Sequence, residues 1–138
     1  MPFREKIAWI AFAGILGAAA VYFGMLCAHR GDLDHRYFIG LFVEIAAAQT
    51  VITLAATVVT SILSHRDAGA PRDERDRRIG RNAAGLTYHP LLIGVILAAV
   101  SIHFGNGTFG MLNTLLGVIM AAEALRFALQ IVAYRRGG

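Results

Sequence analysis

The sequence predicts an all-α integral membrane protein, a bundle of four transmembrane helices. Three observations carry that prediction. Of the 138 residues, 57% are hydrophobic before the 15 Gly are counted, well above the usage of soluble domains. Only 16% are charged, and those charges gather in short clusters. Between the clusters lie four apolar stretches, each long enough to cross a hydrocarbon core about 30 Å thick.

The first stretch, residues 7–28, runs 22 residues without a formal charge, about 33 Å of helix at roughly 1.5 Å per residue. Its flank, Phe3-Arg4-Glu5-Lys6, has the basic character of a signal-peptide start. The apolar run is too long for an h-region, however, and no small-x-small exit follows, so the span is read as retained. Residues 37–63, 86–104 and 111–134 supply the second, third and fourth spans. Cys27 is the single cysteine, so no internal disulfide can staple the fold.

Basic residues in the short flanks orient the spans, because Lys and Arg resist translocation whereas acidic residues matter little. Arg4, Lys6, Arg66, Arg72, Arg75, Arg77, Arg78, Arg81, Arg135 and Arg136 fall on one side; only Arg30 and Arg36 fall on the other. Both termini and the long loop are therefore expected on the cytoplasmic side of the membrane. The net charge of +4 reflects this topology and implies no direct nucleic-acid partner.

The two halves resemble each other. Ile15-Leu16, Ala18 and Phe23-Gly24 recur as Ile96-Leu97, Ala99 and Phe104-Gly105, and Glu44 recurs as Glu123. This spacing is that of a duplicated helical hairpin, both copies in one orientation about an axis along the membrane normal.

Between spans two and three, Ala68-Gly69-Ala70-Pro71 breaks the chain, and Pro71 suits the first position of a new helix, where its missing N–H costs nothing. A charged helix is expected over 71–82, feeding into span three, with Pro90 placed to kink it. Asp73 with Arg77 and Glu74 with Arg78 stand i to i+4 in the favourable acid-first order. As a connector, this run only marks topology. As a docking surface, Asp73, Glu74, Arg75, Asp76, Arg77 and Arg78 offer alternating signs to a soluble protein, or their arginines to anionic membrane lipid.

The run Asp-Glu-Arg-Asp-Arg-x-Ile at 73–79 carries a resemblance, together with Phe-Arg-Glu-Lys-x-Ala-Trp at 3–9 and Ala-Leu-Gln-Ile-Val-Ala-Tyr-Arg-Arg-Gly at 128–137. These segments resemble a bacterial family of small four-helix membrane proteins of unknown function, over essentially the whole chain. The resemblance implies a topology and no catalytic residue. Such families are sometimes encoded beside small helix-turn-helix regulators, which implies a cytoplasmic regulator as partner. His89-Pro90, just after the run, departs from the family pattern.

Polar groups within the spans are the remaining candidates. Glu44 and Glu123 should both lie in hydrocarbon, where an unpaired carboxylate costs several kcal/mol. Arg126 stands at i+3 from Glu123 and can pair with it. Glu44 has Gln130, Asn113 or a neighbouring subunit as possible partners. Alternatively, the two carboxylates form a proton or cation site in a small proton-coupled transporter or ion-conducting protein. In span two, Gln49, Thr53, Thr57 and Thr60 recur at helical spacing, as hydroxyls that bond back to their own helix do. Gly14 with Ala18, and Ala20 with Gly24 and Ala28, are small-x-x-x-small pairs that allow close helix approach.

His89 and His103, 14 residues apart, stand about 21 Å apart along a helix, a separation that could serve two stacked haems with His65, His29 or His35 opposite. Those partners sit at span ends, where interfacial hydrogen bonding is the simpler role. His29, Asp32, Asp34 and His35 make a weak zinc set without cysteine. No cofactor and no metal are therefore expected, and no enzyme. The reading is a non-catalytic anchoring or assembly subunit, a homo-oligomer or part of a larger membrane complex, that binds its partner through the charged helix.

Overall fold

The computed structural model describes residues 3–29, 35–64, 73–105 and 107–136. Among them are four α-helices: α1 (Phe3–Ala28), α2 (His35–Leu63), α3 (Glu74–Val100) and α4 (Gly107–Arg135). A 3-10 turn, Ser101–Phe104, closes α3. All four helices are long and apolar enough to cross a membrane, and no strand occurs among the described residues.

The helix ends follow local chemistry. α3 begins at Glu74 rather than near Pro71, because the Asp73 carboxylate accepts the Glu74 N–H at 2.7 Å from an extended backbone (φ −64°, ψ 154°). Spent as a cap, Asp73 makes no ion pair with Arg77, and Glu74 makes none with Arg78, among the described residues. Pro71 lies outside them. Beyond its start, α3 runs through Pro90 without a break. At the other end of the α3–α4 hairpin, Gly105 (φ 88°) and Gly107 (φ 59°) adopt left-handed backbone that a side chain would strain, which is why the chain reverses there in so few residues.

Packing arranges the helices as a row, α2–α1–α4–α3, in which α1 and α4 are central and α2 and α3 lie at the edges. A closed bundle would give every helix two neighbours. Here α2 leans on α1, touching α4 where the Phe38 and Phe109 rings meet at 4.0 Å between centroids. A twofold axis exchanging the two hairpins would match the α1–α4 interface with an equal one between α2 and α3, and no interface of that extent joins α2 to α3 among the described residues.

Small residues set the contacts. Gly14 lies against Gln49 and Thr53 of α2, so the expected close approach at Gly14 is made there, where Gln49 Nε2 donates to Thr53 Oγ1 at 3.1 Å. Gly24 has nothing near its missing Cβ, so its pairing with Ala20 and Ala28 serves no contact. Gly94 takes the Val118 side chain of α4, and Gly117 takes the Phe23 ring of α1. Large apolar side chains such as Val51, Ile52, Leu54, Leu92 and Ile93 point outward, as lipid requires.

The end where α1 and α3 start and α2 and α4 finish carries most of the charge; it is the basic end. The opposite, far end is aromatic. There Tyr22, almost fully buried, donates its hydroxyl to Asn113 Oδ1 at 2.8 Å across α1 and α4, and packs edge-on against Phe23 and Phe42.

Candidate functional site

Three consecutive residues organise the basic end. Successive side chains on a helix point about 100° apart, so Arg4, Glu5 and Lys6 fan around α1 toward three different helices. Arg4 Nε stands 3.0 Å from Asp76 Oδ2 on α3. Glu5, only 5% exposed, accepts from Arg135 Nε of α4 at 3.4 Å. Lys6 Nζ donates to Ser64 Oγ, one residue past α2, at 3.3 Å. The Arg135 guanidinium also lies over the Trp9 ring, 5.3 Å from its centroid. The sequence marks Arg4 and Lys6 only as topology signals. Their pairing is visible only once the four helix ends are brought to one level.

The charged start of α3 rests on α4 through a buried stripe, Ile79, Ala83 and Thr87, at i, i+4 and i+8. A groove opens on each flank of that stripe. One, of about 790 Å³, has Glu74, Arg75, Arg78, Arg81 and Asn82 as its polar lining, with the buried Ile79 and Ala83 below and Leu129 and Ala133 of α4 beside them. The other, of about 720 Å³, lies between α1, α3 and α4 and is lined by Arg4, Arg77, Arg81, Arg126, Gln130 and Tyr134 among others. The six candidates of the charged run thus divide. Asp73 caps, Asp76 is tied to Arg4, Arg77 turns to the second groove, and Glu74, Arg75 and Arg78 stay exposed on the first.

Glu123 and Arg126 pair as expected, 3.0 Å apart. Glu123 lies close to the middle of α4, and Arg126 stands about one turn nearer the basic end, where it shares a groove with Ala84, at which α3 passes from charged to apolar sequence. Gln130 lines that same groove. Neither partner expected within the chain is at Glu44: Gln130 is toward the other end, and Asn113 is bonded to Tyr22, which leaves the expected neighbouring subunit. With Phe38 and Phe109 level, Glu44 lies about 9 Å and Glu123 about 21 Å from those rings along their helices, at roughly 1.5 Å per residue. Glu44 is exposed on an edge helix, so the two carboxylates form no shared site within one chain.

The histidines are not gathered either. His89 is exposed on α3 beside Tyr88, His103 is exposed in the 3-10 turn, and His29 stacks on Tyr37 at 4.7 Å. His65, Asp32 and Asp34 lie outside the described residues, as does the side chain of His35. Among the described residues, no group of three or more His, Cys, Asp or Glu could hold a metal ion.

No curated protein and no solved structure matches this chain. The family described as a predicted membrane protein (DUF2178) has a model that matches residues 6–137. Four membrane-length helices in one chain agree with that description, and with the match spanning nearly the whole length, the chain belongs to this family.

Proposed function

We propose that the protein is a non-catalytic membrane subunit that binds a protein partner in the groove beside its charged helix, with that end in the cytoplasm and the bundle in a bacterial inner membrane. The carrying observation is the groove whose charged and polar lining is Glu74, Arg75, Arg78, Arg81 and Asn82, over a floor of Ile79 and Ala83 with Leu129 and Ala133 of α4 beside them. A charged rim over an apolar floor suits an amphipathic helix whose edge is acidic. Because Arg75 and Arg78 belong to the same unbroken helix as span three, and Ile79 and Ala83 seat that helix on α4, the rim is held rigidly rather than on a loose loop. A regulator of gene expression or a subunit of a membrane complex both fit this chemistry. The edge helices α2 and α3, each with one principal helical neighbour, leave faces for further subunits.

A photo-crosslinking amino acid at Asn82, in cells expressing the full chain, tests the reading. One discrete adduct is expected, lost on Arg75→Glu with Arg78→Glu while the amount of membrane-inserted protein stays the same. An adduct pattern unaffected by the double reversal returns the charged helix to a connector.

A further inference from the structure

We infer that the second groove, between α1, α3 and α4 at the basic end, is a binding site for a phosphate group. Four arginines from three helices line it: Arg4, Arg77, Arg81 and Arg126. Two of them already have counter-charges, Arg4 on Asp76 and Arg126 on Glu123, both at 3.0 Å. Arg77 and Arg81 have no ion pair among the described residues, although they stand at i and i+4 on one helix face, where like charges repel. A fourth guanidinium comes from α4. Arg126 lines the groove there, its guanidinium over the Phe127 ring at 4.8 Å, with one terminal nitrogen on Glu123 and the other left over. An anion with several acceptor oxygens would satisfy these groups together, and phosphate matches the guanidinium fork.

The groove also has the size and position for a headgroup. At about 720 Å³ it exceeds a bare phosphate ion and falls within the range of small-molecule sites. Ile7, Ala8, Ala84 and Phe127 make part of its lining apolar. It lies where charged and apolar sequence meet along α3, and Tyr134, of a residue type that marks the membrane interface, is part of its lining. The same phosphate chemistry is supplied by an acidic phospholipid or by a soluble phosphate. This site does not rest on the protein-docking reading, whose Glu74, Arg75, Arg78 and Asn82 do not line it, although Arg81 borders both grooves.

Native mass spectrometry of the full chain in detergent, titrated with dioleoylphosphatidylglycerol, dioleoylphosphatidylcholine or inorganic phosphate, tests it. Phosphatidylglycerol should bind at least about tenfold tighter than phosphatidylcholine, whose choline cancels the phosphate charge. Arg77→Gln with Arg81→Gln should weaken binding about thirtyfold, taking each interfacial arginine at its usual worth. Arg75→Gln with Arg78→Gln, the same charge removed from the other flank, should leave it unchanged. Arg77→Lys with Arg81→Lys should retain a clear preference for phosphatidylglycerol, separating loss of charge from loss of fold. Phosphatidylglycerol that inorganic phosphate fails to displace identifies the lipid as the source; phosphate bound by lipid-free protein, and lost in the Gln variant, identifies the soluble ion. Equal affinity for the two lipids without phosphate binding, or equal losses from the two Gln variants, overturns the assignment.

Discussion

At the scale of single residues, the ion pair between Glu5 and Arg135 is the most asymmetric among the described residues. Glu5 has a side chain 6% exposed, while that of Arg135 is 60% exposed. Removing one partner of a pair costs what the other then suffers, and a stranded buried carboxylate suffers far more than an arginine left in water. Arg135→Met should therefore lower thermal stability in detergent by about 2 kcal/mol more than Glu5→Gln does. Equal losses, read from melting of the two variants, would show that Glu5 is hydrated when unpaired. Nothing in the motif Phe-Arg-Glu-Lys reveals this, because Glu5 becomes special only through burial against a residue 130 positions away.

Helix pairs are governed by where a backbone can approach. A Cβ at Gly94 would stand 2.5 Å from Val118 Cγ1, well inside contact distance, whereas one at Gly24 would meet nothing. Gly94→Ala should accordingly destabilise the α3–α4 pair by about 1–3 kcal/mol, the usual cost of overpacking. Gly24→Ala should be close to neutral, and Val118→Ala should recover much of the loss in the Gly94 variant. Thermal melts of the three variants decide it; an innocuous Gly94→Ala would mean that α3 sits farther from α4. Small-x-x-x-small spacing marks both Gly14 and Gly24, yet within the chain only Gly14 of the two meets another helix, since the motif states that approach is allowed and says nothing about which face has a neighbour.

For the molecule as a whole, the decisive property is the sidedness of charge. Arg4, Lys6, the arginines of α3 and Arg135 share the basic end, linked to one another by Asp76, Glu5 and Ser64. With basic flanks retained on the cytoplasmic side, a reporter enzyme fused after Gly138 or inserted at Gly69 should be active only in the cytoplasm, and one inserted at Asn106 only outside. The reverse pattern would place the phosphate groove and the docking groove on the outer surface and remove both cytoplasmic readings at once.

The class of the protein and its four helices were legible in the sequence, because length and apolarity alone decide whether a segment can satisfy its backbone in lipid. The Glu123–Arg126 pair was legible for a similar reason: i and i+3 on one helix are neighbours whatever surrounds them. Contacts between helices were not. The Asp73–Arg77 and Glu74–Arg78 spacings are equally local, yet the N-cap at Asp73 and the exposed, solvated setting of Glu74 and Arg78 prevailed. That Arg4, Glu5 and Lys6 each reach a different helix, that Asn113 serves Tyr22 rather than Glu44, and that four arginines surround one groove depend on which helix lies beside which. Apolar spans of similar length can pack in many orders with little difference in pattern, so only the tertiary arrangement α2–α1–α4–α3 decided where the charges meet.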